Sequence, residues 1–377
     1  MKLLFLNGSR GEWGYIRPII QQCQARGIDY SICATNMLVL PGYGNLLKEI
    51  KADGFKVDDE IYMSLEGDSH VSMAKSLAVF MGSFVDVVNR VKPTWIVLAG
   101  DRGEQTMAAL AGAYMYAPVC HIQAGERSGN IDGVARHAIG KFVHLHFAAN
   151  TDAGERLVKL GEEPFRVHVV GAPQLDELES EIYASRQELS KRYGIDVQKP
   201  YLLVVQHPVT EEMHKVPEQV AATVKALSGF EHQKIWILPN NDAGGGMLRK
   251  VLLEQRDRGV FVFDNLTRRD YLGFMRHSAC MVGNSSSGLL EAPTFKIAAV
   301  NIGRRQADRV IGINVIHSTD DATSIVNAVT EALSSEFQNN LENCVNPYGD
   351  GRSSERILDV LGETQINEDL LIKRLTY

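Results

Sequence analysis

The sequence predicts an α/β protein made of two Rossmann-like domains with a central cleft. Short apolar runs alternate with longer helical patterns in the N-terminal half, and the alternation begins again after a charged helical stretch. Strands that alternate with helices imply a parallel sheet covered by helices on both faces. The length of 377 residues agrees with two domains of about 100–200 residues each.

The first domain is predicted over residues 1–173. Its strands are short apolar runs at 2–7, 30–34, 95–99, 118–123, 146–149 and 167–170. Helical periodicity fills the intervals, first up to residue 24 and then at 71–91, 106–116 and 132–143. Residues 174–199 are charged and helical with no strand pattern, so we expect them to connect the two domains.

The second domain is predicted over residues 200–377 as a nucleotide-binding unit. Its strands are expected at 201–206, 234–238, 260–263, 280–283 and 298–301. Its helices are expected at 216–227, 247–258, 268–277, 286–292, 322–333 and 353–361, and the last helix is placed either here or back against the first domain.

Composition excludes several classes of partner. With 46 acidic and 39 basic residues the net charge is −7, which argues against a general nucleic-acid surface but not against a nucleotide site. The five scattered cysteines are typical of free thiols in a reducing cytosol. The N-terminus lacks a signal-peptide pattern, and no apolar run approaches the roughly 20 residues of a membrane span. We therefore expect a cytoplasmic protein without a membrane or nucleic-acid partner.

The ends of the predicted strands carry the candidate chemistry, because ligands of open parallel sheets bind beyond the carboxyl ends of the strands. The Gly8-Ser9-Arg10 turn can present N–H groups to a phosphate, with Arg10 as a bidentate contact, or it is a tight turn with a solvated arginine. Asp101, between Gly100 and Arg102, is either an acid/base group or a helix cap.

One strand end is unusually rich in charged side chains. Glu126, Asp132 and Arg136 follow the strand at 118–123 within eleven residues. Asp132 and Arg136 are spaced i, i+4 and share a helix face, as a simple surface ion pair also would. The density of the set favours a functional interpretation.

Two strand ends stand out in the second domain. His207 is a phosphate contact, a general acid or a structural histidine. The GNSSSG segment at 283–288 offers N–H and hydroxyl donors that suit a pyrophosphate, with Glu291 as an acceptor for ribose hydroxyls. The alternative for this segment is a helix cap with spare serines. The chain has no P-loop, no dinucleotide fingerprint after the first strand and no convincing zinc spacing.

At these positions the chain resembles the hydrolysing UDP-N-acetylglucosamine 2-epimerases over nearly its whole length. The resemblance implies a GT-B-like fold that holds UDP between the domains. The segments that carry it are GSR at 8–10, GDR at 100–102, ID at 131–132, RHAI at 136–139, GEEP at 161–164, VGAP at 170–173, QHPVT at 206–210, GNSS at 283–286 and YGDG at 348–351.

The resemblance also implies a reaction and a set of roles. UDP-N-acetylglucosamine and water would give N-acetylmannosamine and UDP for sialic-acid synthesis, by anti elimination through 2-acetamidoglucal. Asp101, Glu126 and Asp132 would be the acid/base groups, and Arg136 would orient Asp132. The resemblance implies no metal or organic cofactor, and a homodimer or homotetramer. Substrate contacts would come from Arg10, Arg102, His207, Ser285 and Ser286 around the pyrophosphate, Glu291 on ribose, Tyr271 on uracil and Arg305 along the cleft.

Two residues depart from the family pattern. Gln123 stands where many members have an acidic residue or histidine, and a neutral amide cannot act as a general base, so the role would pass to neighbours such as Glu126. Trp13 replaces a different aromatic and bears on sugar specificity.

Several other functions remain open as alternatives to this reaction. They are a hydrolysing 2-epimerase of a UDP- or GDP-2,4-diacetamido sugar for legionaminic-type acids, a non-hydrolysing epimerase, a GT-B glycosyltransferase and a non-catalytic UDP-sugar-binding protein.

Overall fold

The computed structural model describes residues 1–377 except 41–45, 66–69, 128–130, 180–182, 197, 240–244, 256–259, 265, 375 and 377. The chain divides into two compact units. The first contains Met1–Arg127, Ile131–Glu177 and Tyr348–Tyr377, and the second is built mainly from Leu178–Pro347. The C-terminal segment thus belongs to the first unit.

The first unit is organised around a parallel sheet. In the described part of the chain this sheet has seven strands in the order β3-β2-β1-β4-β5-β6-β7. The order reverses between β1 and β4, which pair in parallel through Leu3 and Trp95. The strands are β1 Lys2–Asn7, β2 Asp29–Thr35, β3 Asp59–Ile61, β4 Trp95–Ala99, β5 Val119–Ile122, β6 Leu145–Ala148 and β7 Val167–Val169.

Helices cover both faces of this sheet and bury its apolar side chains, such as Phe5 and Leu98. Helix α1 begins with a capping box, in which Ser9 and Glu12 each accept a backbone N–H of the other, and it ends at Gly27 in the left-handed conformation. The helices are α1 Arg10–Arg26, α2 Leu46–Ala52, α3 His70–Val91, α4 Gly103–Tyr114, α5 Ile131–Phe142, α6 Thr151–Lys159, α15 Ser353–Glu363 and α16 Glu368–Leu371.

The second unit repeats this architecture. Its described residues form a six-stranded parallel sheet in the order β10-β9-β8-β11-β12-β13, with the reversal between β8 and β11. The strands are β8 Tyr201–Val205, β9 Gln233–Ile237, β10 Val260–Phe263, β11 Cys280–Gly283, β12 Ala299–Ile302 and β13 Val315–Ser318. The helices are α8 Arg186–Tyr193, α9 Val216–Ser228, α10 Gly245–Leu253, α11 Arg268–His277, α12 Ser287–Leu290, α13 Ala322–Ala332 and α14 Ser335–Asn340, and the short α7 Asp176–Glu179 precedes them where the chain leaves the first unit.

The predicted α/β class with two parallel sheets is confirmed. Each predicted strand is present within two residues of its expected bounds, whereas β3 and β13 were not predicted. Helix α12 is shorter than the predicted helix at 286–292, and α10 ends five residues before the predicted end at 258. The connection at 174–199 does contain helices, α7 and α8, as predicted.

Helix α3 is long and apolar enough to cross a membrane by length and composition alone. The sequence predicted this helix at 71–91, but Lys75 and Asp86 interrupt its apolar run, so a helix of membrane-span length was not expected. Phe80, Phe84 and Val88 of the helix are buried in the core of the first unit. This packing is what a core helix of an α/β domain requires.

Candidate active site

The candidate residues cluster at the points where the strand order of each sheet reverses. In the first unit, Arg10 follows β1 and Asp101 follows β4, its neighbour in the sheet. In the second unit, His207 follows β8 and Ser285 follows β11, which also pair with each other. Open α/β sheets bind ligands at such reversal points. These four predicted residues, two in each unit, therefore lie where a ligand of that sheet is expected.

Asp101 and Arg136 form an ion pair within the first unit. Nη2 of Arg136 binds the Asp101 carboxylate, and its Nη1 donates to the carbonyl oxygen of Gln123 at 2.6 Å. The Arg136 side chain is 6% exposed and that of Asp101 is 20% exposed. Arg136 therefore joins the ends of β4 and β5 and orients Asp101. Asp132 lies in the first turn of α5, but its side chain lies outside the described residues, so its predicted pairing with Arg136 stays a prediction.

The chain turns sharply after β5. Gln123 has a φ of 61° and Gly125 a φ of 77°, in the left-handed region that costs a non-glycine residue about 1–3 kcal/mol. The buried Gln123 amide donates to Oε1 of Gln174 at 3.3 Å, while its own Oε1 has no hydrogen-bond partner among the described residues. Glu126, which follows this turn, is buried. An amide with an unused acceptor and a buried carboxylate thus lie on the same turn.

His121 of β5 supports the turn that carries Asp101. Its Nε2 lies 2.6 Å from the carbonyl oxygen of Gly100, to which it donates. Burial lowers the pKa of His121 to about 3, and the charge of Arg136 acts in the same direction. His121 is therefore neutral and holds the turn at Gly100 in place. The sequence did not predict this role, because His121 lies within a buried strand.

The Gly8-Ser9-Arg10 turn differs from the prediction in one respect. The N–H groups of Gly8 and Ser9 both donate to Oε2 of Glu12, at 2.5 and 3.1 Å. These donors are engaged by an internal carboxylate, so the predicted phosphate contact rests on the side chain of Arg10 alone. The signal that reveals Glu12 is the Ser-x-x-Glu spacing of a capping box.

Trp13 packs in the core of the first unit. Its side chain is buried and lies edge-on against Phe55, with 5.2 Å between the ring centroids. Trp13 therefore belongs to the core that packs α1, and its bearing on sugar specificity stays a prediction.

In the second unit, Asn284 joins the turns after β8 and β11. Its Oδ1 accepts the N–H of His207 at 2.7 Å, and its Nδ2 donates to the His207 carbonyl at 2.9 Å. Nη1 of Arg305 and Nε2 of Gln306 donate to the Asn284 carbonyl at 3.1 and 3.0 Å. The predicted residues His207 and Arg305 are thereby held on one asparagine that the sequence analysis did not single out.

Glu291, predicted to bind ribose, is buried and forms an ion pair with Arg268. Burial, and then the negative charge of Glu291, raise the pKa of Tyr271 to about 12, while the hydroxyl groups of Ser285 and Ser287 oppose this shift. Tyr271 therefore lies beside the serine segment and Glu291. Ser286 is the N-cap of α12 and makes no side-chain capping bond, so its hydroxyl is not used to cap this helix.

The arrangement of these groups can be compared with known proteins. A model of the family described as UDP-N-acetylglucosamine 2-epimerase matches residues 21–362. This chain belongs to that family. The match spans both units and includes most of the candidate residues described above.

Two relatives and one solved structure illustrate the similarity. A UDP-N,N'-diacetylbacillosamine 2-epimerase (hydrolyzing) of Legionella pneumophila is 35% identical and covers 100% of this chain and 99% of the relative. A UDP-N-acetylglucosamine 2-epimerase of Neisseria meningitidis is 29% identical and covers 97% of this chain and 96% of the relative. The crystal structure of a UDP-GlcNAc 2-epimerase from Neisseria meningitidis bound to UDP-GlcNAc aligns with a TM-score of 0.80 at 19% identity, covering 97% of this chain and 100% of that chain.

This structural similarity confirms the fold class predicted from the sequence, two parallel-sheet α/β domains of the GT-B-like type. The family membership confirms the resemblance on which the predicted roles were based.

Proposed function

We propose that this chain is a hydrolysing 2-epimerase of a UDP-linked 2-acetamido sugar. The observation that carries the proposal is the guanidinium of Arg136. It donates both to the Asp101 carboxylate and to the carbonyl oxygen of Gln123, at the ends of two neighbouring strands of the first unit. A carboxylate that an arginine orients in this way is suited to proton transfer at a carbon next to a leaving group.

The proposed reaction has two stages. A carboxylate removes the C2 proton while the C1–O bond to UDP breaks, which leaves a 2-acetamido glycal and free UDP. Water then adds its oxygen to C1, and a proton returns to C2 on the opposite face. Two opposed acid/base groups are needed, and we propose that they come from among the three carboxylates Asp101, Glu126 and Asp132. Gln123 cannot take part as a base because its amide is neutral.

The second unit is assigned to the nucleotide. His207, Ser285 and Ser286, with Arg305, supply donors for the departing pyrophosphate, and donors placed where charge develops stabilise such a leaving group. The remaining assignments are Glu291 on ribose, Tyr271 beside the base, and Arg10 and Arg102 of the first unit on the phosphates.

The proposed sugar is UDP-N,N'-diacetylbacillosamine, because the Legionella pneumophila relative that acts on it by name is 35% identical over the full chain. UDP-N-acetylglucosamine, which the sequence analysis put first, is the second candidate and is favoured by the Neisseria meningitidis relative. We further propose a homodimer or homotetramer in the cytoplasm, a reducing compartment that suits the five free cysteines.

Proton NMR in heavy water tests the proposal. The purified protein is incubated with each UDP-sugar, and we expect free UDP together with the free 2-epimeric sugar carrying deuterium at C2. The preferred substrate is the one with the higher kcat/KM. Release of a UDP-linked epimer would instead identify a non-hydrolysing enzyme, and no turnover of either sugar would contradict the proposal.

A further inference from the structure

Two buried carboxylates lie where β1 and β4 end. Glu12 of α1 is 3% exposed and Glu104 of α4 is 2% exposed. Both approach Gly8: its N–H donates to Glu12, and a Cβ there would lie 2.2 Å from Oε1 of Glu104, so that any larger residue would displace the Glu104 carboxylate. The reaction described above uses neither carboxylate, so their burial at this place needs another explanation.

Glu12 connects the turn after β1 with the turn after β4. Its Oε2 accepts the N–H of Gly8 and that of Ser9, the residue directly before Arg10. Its Cγ lies against Gly100, where a Cβ would be only 3.8 Å away. Gly100 has a φ of 83° and directly precedes Asp101. The Glu12 side chain therefore bonds the backbone of the turn after β1 and lies beside the turn after β4.

Glu104 binds residues that follow β2 and β4. Its Oε1 accepts from Nδ2 of Asn36 at 2.9 Å and from Nε of Arg102 at 3.2 Å. Asn36 follows β2, and Arg102 precedes α4. The two glutamates together thus frame the turns that carry Arg10, Asp101 and Arg102.

A second negative charge in this buried place is unfavourable, so the pair retains a proton. Burial, and then the charge of Glu104, raise the pKa of Glu12 to about 8. The charge of Arg102, the N–H of Gly8 and the side chain of Gln105 act in the opposite direction. Glu104 and Arg102 are the charged groups that shift the pKa of Glu12, and the net shift is upward, so Glu12 keeps its proton to a higher pH than an ordinary glutamate.

We propose that Glu12 is a positioning residue for the epimerase reaction: by accepting the N–H groups of Gly8 and Ser9 beside Glu104, it aligns the turns that present Arg10 and Asp101 to the sugar nucleotide. This inference rests on the proposed function. When Glu12 loses its proton at alkaline pH, two buried negative charges repel each other. The alignment of the two turns is then lost, and turnover falls although the nucleotide-binding residues of the second unit are unchanged.

Glu12→Gln is the decisive variant, because glutamine has the shape of the protonated glutamate and stays neutral at every pH. We would measure kcat/KM from about pH 6 to about pH 10. The wild-type enzyme should lose activity with an apparent pKa of about 8. The variant should keep its neutral-pH activity within about three-fold and lack this decline. A decline at the same pH in both enzymes overturns the proposal.

Glu12→Ala gives a second test that does not depend on titration. It removes the acceptor for Gly8 and Ser9, so we expect kcat to fall about ten-fold or more at every pH. Affinity for UDP, measured by calorimetry, should remain within about two-fold, since UDP is assigned to the second unit. A Glu12→Ala enzyme with full kcat overturns the positioning role. Thermal melting of both variants verifies that they fold.

Glu188→Gln is the matched control, because Glu188 forms the same type of capping box with Ser185 at the start of α8 but is 43% exposed. It should change neither kcat/KM nor its pH profile. Inactive wild-type protein with both UDP-sugars would overturn the proposed function and this role with it. An active wild-type enzyme whose pH profile is unaffected by Glu12→Gln would overturn only the role of Glu12.

Discussion

The guanidinium of Arg136 satisfies two different acceptors, the Asp101 carboxylate and the carbonyl of Gln123. The planar fork of arginine is suited to such a pair because its N–H groups point in fixed directions. Since Arg136 is nearly fully buried, its charge needs the Asp101 carboxylate as a partner. The orientation of the proposed acid/base group is thereby linked to the left-handed turn at Gln123.

Arg136→Lys tests this link. Lysine keeps the positive charge but cannot hold both acceptors in one plane, so we expect kcat to fall by about a hundred-fold. Affinity for UDP in a calorimetric titration should be unchanged. Arg352→Lys is the control, because Arg352 is 66% exposed and pairs with Glu355 at the surface. Normal turnover of the Arg136→Lys enzyme would mean that charge alone is sufficient, against the positioning role.

At the scale of elements, the sequence predicted every described strand except β3 and β13. All five residues of β4 are buried, and such strands appear as unbroken apolar runs. Two of the three residues of β3 are acidic, and β13 ends with His317 and Ser318, so neither strand forms an apolar run. Sequence spacing suggested the pair Asp132–Arg136, whereas the contact of Arg136 with Asp101 spans 35 positions and depends on the order of the strands.

The turn after β11 leads to a prediction at this scale. Gly283 has a φ of 132°, and a Cβ there would lie 2.1 Å from the carbonyl oxygen of Val205 on β8. Gly283→Ala should therefore lower the free energy of unfolding by roughly 3 kcal/mol, measured by urea denaturation. Gly246, inside α10, has no heavy atom within 4 Å of its Cβ position, and Gly246→Ala should instead stabilise by about 1 kcal/mol. Equal stability of the two variants would contradict the steric argument.

At the scale of the whole molecule, the C-terminal segment is part of the first unit. Asp176 accepts the N–H groups of Ser353 and Ser354 at 3.0 and 2.6 Å at the start of α15. Nζ of Lys373 donates to the Gly140 carbonyl at 2.6 Å and contacts Glu162 at 2.5 Å. No local pattern predicts these contacts, because each depends on residues about 180 or more positions apart.

Arg166 donates several hydrogen bonds to the backbone of the C-terminal segment. Its fully buried guanidinium donates to the carbonyl oxygens of Asp369 and Leu370, both at 2.6 Å, and also to Glu163. Arg166→Met keeps the volume but leaves these acceptors without donors. We therefore expect a loss of about 3 kcal/mol in the free energy of unfolding and early proteolytic cleavage after α16.

Arg352→Met removes a guanidinium from the exposed surface of the same unit and should change stability by no more than about 0.5 kcal/mol. Because Arg166 contacts none of the proposed substrate-binding residues, the kcat/KM of the Arg166→Met variant should stay near the wild-type value at temperatures where it remains folded. Unchanged unfolding together with unchanged proteolysis would mean that the C-terminal segment is held by its apolar contacts, such as Leu370, rather than by Arg166.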